Sequence, residues 1–102
     1  MPMTDASSGA AVTSVRVEFA ASLRRHVDCA PQQVGPGSLR EVLVAALAAA
    51  PGLTGYVFDD QQHVRKHVAV FVNQRMHLDR QRLDQPLAAG DHVLVVQALS
   101  GG

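Results

Sequence analysis

A chain of 102 residues, 47% hydrophobic and 18% charged, is sized for one small domain with one modest core. Nine Lys and Arg balance nine Asp and Glu, and the net charge of +0 argues against the basic stripe of a broad nucleic-acid footprint and against a polybasic membrane patch. Aromatic content of 4% makes the core aliphatic, and a single cysteine, Cys29, excludes an intrachain disulfide and fits a reducing compartment.

Residues 1–12 are small and polar without periodicity, which predicts a disordered lead-in. The start, "MPMTDASSGAAVT", lacks a basic region followed by an apolar one, so no secretory signal is expected. No stretch approaches the roughly 20 apolar residues of a membrane span. The expected location is cytoplasmic.

"VTSVRVEFA" alternates, with Val15, Val17 and Phe19 on one face and Arg16 and Glu18 on the other, which predicts a strand buried on one side. A turn near Leu23–Arg25 and a weaker strand up to Val34, demoted by Pro31, follow. "GPGS" is a break, and Ser38 opens a helix with Glu41 at capping-box spacing. Leu39, Val42, Leu43, Ala46, Leu47 and Ala50 form one apolar stripe at helical period, stopped by Pro51-Gly52.

Residues 53–66 have no clear period and predict a long loop with room for a short helical turn. "HVAVFVN" is an apolar, β-branched run suited to a central strand, covered on both faces or paired on both sides. Asn73-Gln74 is a turn, "RMHL" a short returning strand, "DQPLAAGD" a loop and "HVLVVQAL" a last strand. The order β-β-α-β-β-β predicts an α+β fold, a mixed sheet with one helix packed on it.

The chain closes on "ALSGG". A glycine pair taken alone is readily a frayed end. In company it says more. The element order, then "VFVNQ", then "PLAAGDHVLVVQALSGG", resembles the MoaD/ThiS family of ubiquitin-like β-grasp sulfur carriers over about residues 13–102. The resemblance implies a β-grasp domain over 13–98, a sheet of four to five strands with one main helix, and a flexible tail over 99–102. The long segment 53–66 is similar to the branch of carriers serving cysteine or secondary-metabolite pathways.

The resemblance also implies a chemistry. The carboxylate of Gly102 would be adenylated and converted to a thiocarboxylate that donates sulfur toward molybdopterin, thiamin, cysteine or a thio-metabolite. The implied partners are an E1-like adenylating enzyme, a sulfur donor (cysteine desulfurase, rhodanese or a sulfide source) and an acceptor synthase. No cofactor would be bound, and ATP would be used by the activating partner. The domain would be a protein cosubstrate rather than an enzyme, or the small subunit of a synthase complex. With Gly102 last, no protease is expected to uncover the tail. Leu99, Ser100, Gly101 and Gly102 span at most roughly 13 Å when extended. Glycines lack side chains, so this segment suits threading into a narrow slot. Leu99 is the expected tail anchor.

In the last strand Val93, Val95 and Gln97 share one face, and Leu94, Val96 and Ala98 the other. One set should pack on the helix stripe and the other is open to dock a partner. The sequence leaves open which.

Three other functions compete. A ubiquitin-like modifier would be joined through Gly102 to a lysine of a target; Lys66 is this chain's own single lysine, which disfavours self-polymers. A non-carrier β-grasp interaction domain would ignore its tail. A small enzyme would use Cys29 or a histidine, although "HVDCAP" has no nucleophile signature. His63 and His67 have i, i+4 metal-ligand spacing but no third ligand near in sequence. Arg65-Lys66-His67 is expected as a solvated rim, and Asp59-Asp60 as loop acids facing water. "GPGS" lacks the ending of a phosphate loop.

Overall fold

A computed structural model describes residues 13–97. The lead-in expected over 1–12 and the tail residues Leu99, Ser100, Gly101 and Gly102 lie outside the described residues, as does Ala98. Among the described residues seven strands run in chain order: β1 (Val15–Phe19), β2 (Gln32–Val34), β3 (Gly37–Ser38), β4 (Val68–Val72), β5 (Arg75–His77), β6 (Pro86–Leu87) and β7 (His92–Gln97). Three α-helices accompany them: α1 (Ala21–Arg24), α2 (Leu39–Leu47) and α3 (Thr54–Val57), the last entered through a 3₁₀ turn at Pro51–Leu53. The main sheet has the order β2-β1-β7-β4-β5. β1 and β7 pair parallel at its centre, and every other pair in it is antiparallel. This is the expected mixed sheet, and β2 takes the edge position that Pro31 just before it allows.

The main helix starts as its sequence dictates. Ser38 Oγ accepts from the Glu41 amide at 3.1 Å, and the Ser38 amide donates to Glu41 Oε1 at 2.9 Å, a complete capping box. The next two free amides of the first turn are also satisfied: Leu39 N donates to Gln85 O and Arg40 N to Leu83 O, each at 2.9 Å. The loop before β6 thus lies across the helix start, and β6 pairs with β3 there. This small two-stranded ladder corrects the expectation of "GPGS" as a plain break and "DQPLAAGD" as plain loop. Two residues per strand are too few to show a period.

Leu39, Val42, Leu43, Ala46 and Leu47 face the sheet and are buried. They meet Val15, Val17 and Phe19 of β1, Val68, Val70 and Val72 of β4, and Val93 and Val95 of β7. Burial of each Val, Leu or Phe among them contributes roughly 1.5–3 kcal/mol, and Ala46 less. Segment 53–66 is more ordered than a loop. Leu53, Val57, Phe58 and Val64 all reach the core, and Phe58 bridges to Val64. Arg65 Nε ties the segment together, donating to Gly55 O at 2.7 Å and Phe58 O at 3.2 Å. The stretch expected as a turn near Leu23–Arg25 is a single helical turn with Leu23 fully buried.

The two turns at the far end of the sheet need left-handed backbone. Asn73 and Gln74 have φ of 50° and 72°, the primed turn that joins twisted antiparallel strands. Gly90 has φ of 94°, where a side chain would be strained.

Candidate functional site

The strand that leads to the glycine tail occupies the sheet's centre. In β7, Val93 and Val95 are completely buried, while His92, Leu94 and Val96 are only partly covered. Helix α2 therefore covers the Val93 side, and the Leu94 side is open. β4 repeats the pattern, with Val68, Val70 and Val72 buried and Ala69 and Phe71 half-buried. It is paired on both sides but covered on one face, not both.

Register assembles the open residues into a patch. Phe71 lies opposite Leu94 on β7 and opposite Met76 on β5, and Ala69 lies opposite Val96. Met76, Phe71 and Leu94 thus form a row across three strands, with Met76 half exposed. Phe71, Gln74, His92 and Leu94 line a shallow depression in it. A polar rim borders the patch toward β1. His92 Nε2 donates to Glu18 Oε1 at 3.1 Å, and Arg16 Nε lies 3.9 Å from the same oxygen. An apolar centre with a polar rim has the anatomy of a protein-binding surface. Sequence reasoning put Leu94 and Val96 on one face of the last strand without deciding whether that face is the open one, and it missed Phe71 and Met76. The alternation within "VAVFV" held the signal, masked because both faces of that strand are apolar.

The other sequence candidates resolve plainly. Cys29 is buried, and its thiol is pushed up by that burial and then by the Asp28 charge, the opposite of an activated nucleophile. His63 and His67 flank a bridge residue and a turn rather than sharing a helix face, and no group of three metal-ligating side chains occurs among the described residues. Asp59 is engaged by backbone: its Oδ1 accepts from the amides of Gln61 at 2.9 Å and His63 at 3.0 Å. Those amides, His63's foremost, hold its carboxyl below the usual range. It closes a turn and does not form an acid–base pair with Asp60. Arg65, Lys66 and His67 are exposed, as a solvated rim should be, but Arg65 commits its Nε to Gly55 O and Phe58 O and is structural. A larger groove between Val44, Leu47, Pro51 and Phe58 has Asp59, Asp60 and Arg65 on its border, and it gathers no catalytic set.

A sequence model of the ThiS family matches residues 17–102. No curated protein matches the chain in sequence. Among solved structures, SAMP1 from Haloferax volcanii superposes with a TM-score of 0.73 at 26% identity, covering 87% of this chain and 99% of that one. The HVO 2177 protein of Haloferax volcanii gives 0.67 at 29% identity, covering 88% and 87%. The Amycolatopsis orientalis BexX/CysO complex contains a chain that gives 0.69 at 17% identity, covering 86% and 99%, a likeness of fold. The parallel central pair, the helix across the sheet and a family match over most of the chain agree: the protein belongs to the ThiS family, the ubiquitin-like β-grasp sulfur carriers and modifiers.

Proposed function

We propose that this protein is a sulfur carrier that works through the carboxylate of Gly102. The observation that carries this reading is the family match running through Gly101 and Gly102. The geometry supports it, because β7 leads toward that tail from the sheet's centre, beside an open apolar face on which a partner enzyme can seat.

A carboxylate is a poor electrophile and needs activation. A Gly102 carboxylate oxygen attacks the α-phosphorus of ATP, and pyrophosphate leaves. The acyl-adenylate is then attacked at carbon by hydrosulfide. A C–S bond forms, the C–O bond to AMP breaks, and a thiocarboxylate remains. Hydrosulfide makes this step redox-neutral; a persulfide donor needs a thiol reductant as well. The activating partner supplies the ATP site, and this domain supplies only the tail and the docking face. It acts as a cosubstrate for an E1-like adenylating enzyme, a sulfur donor and an acceptor synthase.

Intact mass after incubation with the cognate adenylating enzyme, ATP and sulfide tests this. The mass should rise by the difference between sulfur and oxygen, with the change in the C-terminal peptide. An unmodified Gly102 in the presence of an active cognate enzyme would sink the reading. A second reading, a modifier joined through Gly102 to target lysines, is favoured by the 26% identity to SAMP1, a small archaeal modifier protein. Isopeptide-linked conjugates ending in Gly102 would select it.

A further inference from the structure

The root of the tail is held by three side chains that the carrier chemistry leaves unexplained. On its β1 side the ladder of β7 ends where Ala20 N donates to Val95 O at 2.9 Å. Beyond that point a side chain substitutes for the strand, as Gln97 N donates to Ser22 Oγ at 3.2 Å. Gln97 Oε1 meets His26 Nε2 at 3.0 Å, and because that oxygen only accepts, Nε2 carries the proton. The imidazole is itself clamped. It stacks on Tyr56, with ring centroids 4.1 Å apart and planes 11° from parallel. Tyr56 sits on α3, whose neighbours Leu53, Val57 and Phe58 are fixed in the core.

We propose that Ser22, His26 and Tyr56 form a brace that sets the direction in which residues 98–102 leave the fold, making His26 a positioning residue for activation of Gly102. The proposal rests on the carrier reading. Its physical basis is leverage. Five extended residues beyond Gln97 reach at most about 17 Å, so a root swinging by about 30° moves Gly102 by about 9 Å. Reacting groups need placement within about 1 Å, so an ordered exit raises the fraction of docked complexes with the tail on course. The brace residues are exposed or half-buried at the surface, and none is a core side chain. Ser22 and His26 lie 75 and 71 residues from Gln97 in sequence, so their convergence on it comes from the fold.

The test uses the full chain as wild type, His26→Ala, His26→Gln, Tyr56→Ala and Tyr56→Phe. Backbone ¹⁵N relaxation needs no partner. His26→Ala and Tyr56→Ala should loosen Gln97 and Ala98, while Tyr56→Phe, which keeps the stack, should not. Thiocarboxylate formation with the cognate adenylating enzyme, ATP and sodium sulfide is then followed by intact mass. Losing a net side-chain hydrogen bond at the root should lower kcat about three- to tenfold. KM should hold, since the open face still docks. His26→Gln, which retains an N–H donor, should recover most of the rate. Unchanged relaxation, an unchanged kcat, or a defect confined to KM would each overturn the brace. If the wild-type chain is itself not modified, the carrier reading falls, and the relaxation data alone decide whether the root is braced.

Discussion

Asn73 and Asp91 are bonded to each other across 18 residues of sequence: Asn73 Nδ2 donates to Asp91 Oδ1 at 3.1 Å. Each also holds backbone. Asn73 Oδ1 accepts from His92 N at 2.9 Å, and Asp91 Oδ2 accepts from Ala88 N at 2.8 Å. Two of the residues that carry the family resemblance are therefore architectural. They lock the β4–β5 turn to the entry of β7. The Ala88 amide, and then Asn73, hold the Asp91 carboxyl below the usual carboxylate range.

Asp91→Ala should destabilise the fold by about 1–2 kcal/mol in urea unfolding, near the lower end because water screens this surface site. The sign of the pH effect follows from the depressed folded value. The Asp91 contribution is complete above the unfolded carboxylate value of about 3.9 and disappears as pH falls through the lower folded one. Asp91→Asn should flatten the acid limb of the stability profile. An acid limb identical to wild type would show that the carboxylate is idle.

Phe71→Asp and Leu94→Asp place a charge in the middle of the open patch without touching the covered face. Docking to the adenylating enzyme, measured by calorimetry, should weaken by about 2 kcal/mol or more, roughly thirtyfold, as for a central interface residue. Folding stability should fall only by about 1 kcal/mol, the span of strand propensity, so the fold persists. Wild-type affinity in both variants would place the docking surface elsewhere.

Leu53→Ala tests whether segment 51–58 belongs to the core. Leu53 is completely buried, so truncation should cost about 2–5 kcal/mol in denaturant unfolding. A loss below 1 kcal/mol, on the order expected for a surface change, would mean the segment packs more loosely.

Gly101→Ala should leave the melting temperature at the wild-type value and still stop thiocarboxylate formation, because a methyl group fouls a slot built for bare backbone. Normal modification of that variant would show that the partner's slot is wider than the carrier reading requires.

How much of this was legible beforehand depends on periodicity. The stripe on α2 and the alternation in β1 repeat at their element's period, and the capping box is a fixed local spacing; each appears as expected, except that the helix ends at Leu47 and Ala50, the last residue of the expected stripe, is buried just beyond it. The segment after α2 did not read, because Leu53, Val57, Phe58 and Val64 enter the core from a 3₁₀ turn, a helix end and a lone bridge, which share no period. The docking face was half legible. β7 is apolar on both sides, so only the helix crossing over Val93 and Val95 decides which side is open. The brace left no trace at all, since Ser22, His26, Tyr56 and Gln97 come from separate segments and are unremarkable one by one.

The place of β7 between β1 and β4 has a mechanical meaning. Val93–Gln97 is matched to Val68–Val72, and His92–Val95 to Arg16–Phe19. A pull along β7 loads both ladders in shear, across the perpendicular bonds to β4 and obliquely to the slanted bonds to β1, so they share the load together instead of parting one at a time. An edge strand pulled sideways would unzip from one end. Under the carrier reading, an enzyme drawing the tail into its slot would tug on the central strand of the sheet, and the body would follow the tail without unravelling.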